Sequence, residues 1–172
     1  MNRNDWLKTL PKNMKWAELG VFLGDFSKLI YEYCDPSQLD LVDTFPNSAS
    51  SGDKDGNNIV QRNLSSIPDQ LLNYFNNPRV RIHKMTTTEY LSSITEKIDC
   101  VYIDADHSYS SVKSDLLLSY NIVNNGGLIC GHDYCNIKYP GVVQAVSEFC
   151  QEKKLNIEFI SNCGLPTFAI RK

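Results

Sequence analysis

The stretch Ala17-Glu18-Leu19-Gly20-Val21-Phe22-Leu23-Gly24-Asp25-Phe26-Ser27 decides how the chain is read. It closes an apolar run that starts at Trp16, sets two glycines in a G-x-x-x-G spacing, and opens a helical stretch from Asp25 to Tyr33. Glycine lets the backbone come close to a ligand, and free amides at a helix N-terminus favour an anion such as a carboxylate or phosphate. The same residues would equally serve as a plain corner between strand and helix. The spacing lacks the third glycine of the dinucleotide fingerprint G-x-G-x-x-G, which counts against NAD.

Outward from this turn, short apolar runs alternate with stretches of helical length. The strand runs are Trp16 to Val21, Leu39 to Val42, Val80 to Lys84, Ile98 to Ile103, Gly127 to Cys130, Leu155 to Ile160 and Thr167 to Arg171. The helical stretches, after a short N-terminal helical lead, are Asp25 to Tyr33, Ile59 to Phe75, Thr87 to Ser93, Ser111 to Asn124 and Val142 to Lys153. Pro68 kinks or divides the second of these. The alternation predicts an α/β fold, a doubly wound open sheet flanked by helices. No long helix separates the last two strands, so they should form an antiparallel hairpin around Ser161-Asn162-Cys163-Gly164. Pro46 to Asn58, PNSASSGDKDGNN, reads as a mobile loop. Open α/β sheets bind ligands beyond the carboxyl ends of their strands, so the functional residues should follow each strand.

Composition narrows the class. The 172 residues suit one domain spanning 1–172, and 42 % hydrophobic with 22 % charged residues is ordinary globular usage. With 17 Lys+Arg against 20 Asp+Glu and no basic cluster, the chain lacks the electrostatic footprint of a nucleic-acid binder, and a small partner is expected. The N-terminus carries no secretory apolar region and no window suits a membrane span, so a cytoplasmic location is expected. The six cysteines form no C-x-x-C pair and read as reduced core thiols.

The chemistry-bearing residues fall at strand ends. Asp43 closes LDLVD about twenty residues after the glycine turn, where an acid can hydrogen-bond ribose hydroxyls, and the two features together point to an adenosine-type cofactor. Met85 and Thr86, after the third strand, would lie near the adenine. The fourth strand runs into Asp104-Ala105-Asp106-His107-Ser108-Tyr109, and the fifth ends in Gly131-His132-Asp133-Tyr134. Neighbouring strands would bring Asp104 and Asp133 together, and oxygen ligands from two strand ends suit a hard divalent ion. The alternative is a hydrogen-bonded polar cluster capping the sheet. Phe22, Tyr109 and Tyr134 are candidates for aromatic walls around cofactor or substrate, or for core packing. His83 reads as a strand residue, and Arg79, Arg81 and Lys84 as a solvated face.

The ordered motifs A-E-L-G-V-F-L-G-D-F-S, L-V-D-T-F, Y-I-D-A-D-H-S-Y and N-G-G-L-I-C-G-H-D-Y resemble the class I S-adenosylmethionine-dependent methyltransferases. More narrowly, they resemble the metal-dependent sugar O-methyltransferases similar to macrocin O-methyltransferase, from Trp16 to the C-terminus. The resemblance implies a Rossmann-like, mostly parallel seven-stranded sheet in the order 3-2-1-4-5-7-6 with the last strand reversed. It implies that Glu18, Gly20 and Gly24 line the methionine part of S-adenosylmethionine, with Ser27 near its carboxylate, and that Asp43 holds the ribose. Asp104, beside the cofactor, and Asp133 match metal-binding carboxylates, and Asp106 or His107 matches the general base. His132 departs from the pattern, which often carries a second acid there, and shifts the expected metal from Mg²⁺ toward Mn²⁺. The acceptor implied is a hydroxyl of a sugar or other small molecule. The rivals are an NAD-dependent oxidoreductase and a catalytically silent binding protein of the same fold. The hairpin or the N-terminal helix offers a surface for a homodimer.

Overall fold

The computed structural model describes residues 1–52 and 59–172. In chain order it comprises α1 (Arg3–Thr9), β1 (Lys15–Leu19), α2 (Asp25–Cys34), β2 (Gln38–Asp43), β3 (Ala49–Gly52), β4 (Ile59–Arg62), α3 (Ile67–Phe75), β5 (Val80–Lys84), α4 (Thr87–Ser93), β6 (Ile98–Ile103), α5 (Tyr109–Ile122), β7 (Val123–Gly131), α6 (Pro140–Lys153), β8 (Ile157–Ile160) and β9 (Phe168–Arg171). Seven strands form the main sheet in the order β5-β2-β1-β6-β7-β9-β8. Set aside the separate β3-β4 pair and this is the expected 3-2-1-4-5-7-6. The first five strands are parallel, and β9 runs antiparallel to both β7 and β8.

Residues alternate across the central strands and split the core into two layers. Trp16, Leu39, Leu41, Cys100 and Tyr102 face the layer that holds α1, α2 and α3, whereas Ala17, Leu19, Val42, Val101 and Ile103 face the layer of α4, α5 and α6. With both faces covered, these strands are nearly continuous runs of buried residues, as parallel sheets require.

Five sequence expectations are corrected. Ile59 to Phe75 is not one helix. Its first four residues pair antiparallel with Ala49–Gly52, and the helix begins at Ile67 with Pro68 in its first turn, where the missing N–H costs nothing. The expected loop Pro46 to Asn58 therefore contains the strand Ala49–Gly52, and residues 53–58 lie outside the described residues. The helix expected to reach Asn124 stops at Ile122, because Val123 turns extended to pair with Ile98 and the Asn124 amide donates to Asp99 Oδ1 at 2.7 Å. Arg81 does not lie on a solvated face. Its guanidinium grips the fully buried Asp40 through two hydrogen bonds of 2.6 and 2.7 Å. The six cysteines are free, yet only Cys34, Cys100 and Cys130 are buried, and Cys163 is exposed.

β8 and β9 form the expected antiparallel hairpin, which Ser161 and Thr167 close with reciprocal bonds, Ser161 N–H to Thr167 carbonyl and Thr167 N–H to Ser161 Oγ. No described helix is long and apolar enough to cross a membrane.

Candidate active site

A cleft of about 1130 Å³ opens over the carboxyl ends of β1, β2, β5 and β6. Its floor is the glycine corner. Gly20 has φ +91°, and a Cβ there would stand 2.1 Å from the Asp104 carbonyl oxygen, so β1 and β6 can meet only at glycine. Gly24 has φ +77°, where any side chain is strained, and a Cβ there would meet Leu71 Cδ2 at 2.4 Å. Gly20 lines the cleft and Gly24 does not.

Asp43 organises this corner. Its Oδ2 accepts from the amides of Val21 and Phe22, both at 2.9 Å, and its Oδ1 accepts from the Phe45 amide at 2.8 Å. A carboxylate oxygen takes two donors, so Oδ1 retains a lone pair for a ligand hydroxyl. Phe22, with φ +53°, lines the cleft.

Glu18 is almost fully buried at the end of β1, lines the cleft, and accepts from Ser27 Oγ at 2.5 Å. Burial pushes its carboxyl up to about 8, against the Ser27 hydrogen bond and the field of Arg3. Ser27 itself is buried and meets the site only through Glu18. Met85 and Thr86 line the cleft beyond β5, and Thr86 closes a capping box with Glu89 at the start of α4.

The acidic strand ends converge. Asp104, His107 and Asp133 each offer a ligand atom, all within 4.8 Å of one another. His107 Nε2 lies 2.8 Å from Asp133 Oδ2 and 3.5 Å from Asp104 Oδ1. Hydrogen bonds to Asp104 and Asp133 push the imidazole up to about 10, so it carries a proton at neutral pH. Burial would raise the Asp133 carboxyl, but His107 and His132 outweigh it and hold it well below the usual carboxylate range. His132 adjoins this group, with Nδ1 3.1 Å from Asp133 Oδ1 and 3.8 Å from Asp104 Oδ2. That approach is out of line for a hydrogen bond, and among the described residues the buried Asp133 Oδ1 has no donor. Asp133 sits at φ +58°, a left-handed turn that swings its side chain back toward Asp104.

The two candidate bases separate here. Asp106 is spent on the start of α5, accepting from the Ser108 amide, Ser108 Oγ and Ser111 Oγ, and these bonds hold its carboxyl below the ordinary value. His107 turns inward against Tyr139, with ring centroids 4.7 Å apart. Of the three aromatics singled out from the sequence, only Phe22 lines the cleft. Tyr109 donates to Glu148 at 2.5 Å, and Tyr134 packs on Phe168.

Two residues that sequence reasoning passed over also line the cleft. Asp115, on α5, is 2 % exposed, accepts from Thr87 Oγ1 at 2.7 Å, and is pushed up to about 6 by burial. Its signal was available, since Val112, Asp115, Leu116, Ser119 and Ile122 make one buried stripe in which a carboxylate is out of place. Arg3, from α1, had no such signal.

A doubly wound α/β sheet with a ligand cleft at its carboxyl edge is the class that fold and site define. The chain belongs to the methyltransferase domain family, whose model matches residues 17–134. Membership supports S-adenosylmethionine as the methyl donor. Among solved structures, the fold is similar to a candidate rRNA methylase of Clostridium thermocellum (TM-score 0.67, 15 % identity, 98 % of this chain and 94 % of that one). It is also similar to SMU.1697c of Streptococcus mutans in complex with SAH (TM-score 0.67, 12 % identity, 98 % and 94 %) and to the N-methyltransferase NodS of Bradyrhizobium japonicum (TM-score 0.67, 11 % identity, 99 % and 94 %). In sequence, 59 residues are 39 % identical to uncharacterized protein R132 of Acanthamoeba polyphaga mimivirus, covering 34 % of this chain and 27 % of that protein.

Proposed function

We propose that the protein transfers a methyl group from S-adenosylmethionine to a hydroxyl of a sugar or other small molecule, assisted by a divalent cation. The observation that carries this reading is the convergence of Asp104, His107 and Asp133 beside the glycine corner. The donor set suits a cation. Two carboxylates and the His107 imidazole lie within 4.8 Å of one another, the His132 imidazole stands beside Asp133, and among the described residues no hydrogen-bond donor satisfies the buried Asp133 Oδ1. Asp104 and Asp133 would hold the ion, with His132 alongside. A divalent ion bound there would supply the charge that protonated His107 now supplies, leave the imidazole neutral, and lower the pKa of an acceptor hydroxyl.

The chain's own groups do the rest. Methyl transfer needs the acceptor oxygen held in line with the sulfonium carbon and relieved of its proton. Glu18 and Asp43, which both line the cleft, flank the donor. Neutral His107 accepts the hydroxyl proton at Nε2, and Tyr139 packs on its ring and holds its orientation. A small acceptor is supported by charge: Arg3 is the sole lysine or arginine among the described residues lining the cleft, too few for a phosphate backbone.

Thermal melting with S-adenosylhomocysteine, Mg²⁺ and Mn²⁺ tests the reading. S-adenosylhomocysteine should raise the melting temperature, and one ion should enlarge the shift. A shift with NAD and none with S-adenosylhomocysteine would overturn it.

A further inference from the structure

Arg3 reaches the cleft from outside the sheet. Its guanidinium carbon lies 4.2 Å from the Phe26 ring centroid, and Nη1 donates to the Tyr102 hydroxyl at 3.3 Å. Tyr102 is pinned in turn, with its hydroxyl 2.8 Å from Thr167 Oγ1 and its ring 4.2 Å from that of Phe26. The guanidinium is thus held in place by a stacked ring and a buried phenol. Among the described residues no carboxylate lies within 4.0 Å of it, whereas Arg79, Arg81 and Arg171 each have one. Holding a partly buried guanidinium without an anion leaves most of its N–H donors uncommitted.

What stands near it is Glu18. Both line the cleft, and Phe26, which carries Arg3, is one residue before Ser27, which carries Glu18. The acid and the base lie close enough for Arg3 to influence the Glu18 carboxyl, yet they form no ion pair. An acid and a guanidinium that share a pocket wall and stay apart complement a molecule with an amine and a carboxylate on one carbon. The donor of the proposed reaction ends in such a group.

We propose that Arg3 is a specificity-determining residue that binds the α-carboxylate of the donor's amino-acid end, with Glu18 facing its amine. This rests on the methyltransferase reading above and deepens it. The N-terminal helix α1 then closes the donor site instead of merely covering the sheet, and the protein distinguishes donors by their amino-acid end.

Calorimetry on the full chain and on Arg3→Gln tests this with two probes, S-adenosylhomocysteine and 5′-methylthioadenosine, which lacks the amino-acid end. Arg3→Gln should weaken S-adenosylhomocysteine by about ten- to a hundredfold, the value of one charge-assisted hydrogen bond, and leave methylthioadenosine unchanged. Arg3→Lys should recover part of the loss. Equal S-adenosylhomocysteine binding by wild type and Arg3→Gln would overturn the assignment, as would equal weakening of both probes, which would mean that Arg3 only props Phe26. A rise in acceptor KM with donor binding unchanged would also overturn it and move the anion to the acceptor. If the wild-type protein binds neither probe, the methyltransferase reading itself fails.

Discussion

Asp40 and Asp133 are both aspartates with almost no exposed side-chain surface, 0 % and 6 %, and both are held well below the usual carboxylate range. Their circumstances are opposite. Asp40 is saturated: Arg81 donates twice, Tyr90 donates at 2.6 Å and Gln38 at 3.1 Å, and His83 stands 3.2 Å away. Asp133 has His107 on one oxygen and, among the described residues, no aligned donor on the other, and although it does not line the cleft itself, its neighbours Asp104, His107 and His132 do. A saturated buried carboxylate ties strands together. An unsaturated one next to a cavity is available to something that enters it.

The sharpest break of this contrast is Asp133→Asn. It should lower turnover by about 10³-fold in protein that still unfolds cooperatively in urea. Loss of stability with activity retained would make Asp133 a second Asp40. His107→Gln should cost about 10²- to 10⁴-fold in turnover with S-adenosylhomocysteine affinity unchanged. By contrast, Asp106→Ala should cost only about 1 kcal/mol of stability, as a helix-start residue does, and change turnover little. If steady-state kinetics rank these two the other way, Asp106 is the base.

Asp40→Asn should act on the fold alone. It leaves Arg81 without its buried counter-charge, and because Arg81 is 41 % exposed the loss should fall at the low end for buried pairs, about 3 kcal/mol in urea unfolding. The pH dependence follows. A carboxyl held below its ordinary 3.8 contributes fully above that pH and loses its contribution as the pH falls below it, so Asp40→Asn should remove part of the acid limb of a stability–pH curve.

Glu18 predicts the opposite slope. Its folded carboxyl titrates at about 8 against 4.5 unfolded, so the folded state keeps a proton that the unfolded chain releases, and stability falls as pH rises from 4.5 to 8. The slope should be at most about 1.4 kcal/mol per pH unit, and Glu18→Gln should flatten it in thermal melts between pH 5 and 8.

Much of the fold was legible because its signals are local. Short, nearly continuous apolar runs in β1, β2 and β6 and helical spacing in α2, α5 and α6 show in short windows. The misreadings fell where a short window points the wrong way. Ile59–Arg62 is a strand only because Ala49–Gly52 lies beside it, and Val123 leaves the helix only because Ile98 is its neighbour. The acidic strand ends were legible too, since topology alone puts the ends of β6 and β7 side by side.

By itself the sequence determined the alternation of strands and helices, the glycine corner, and the residue types at each strand end, because these depend on backbone preference and chain order. Only the tertiary structure decided where those side chains point. It turned His107 inward and committed Asp106 to α5, buried Asp115 against Thr87, matched Asp40 with Arg81, and brought Arg3 to Glu18. Direction at a strand end depends on one or two backbone torsions and on helices docked from distant parts of the chain. No local window of sequence contains that information.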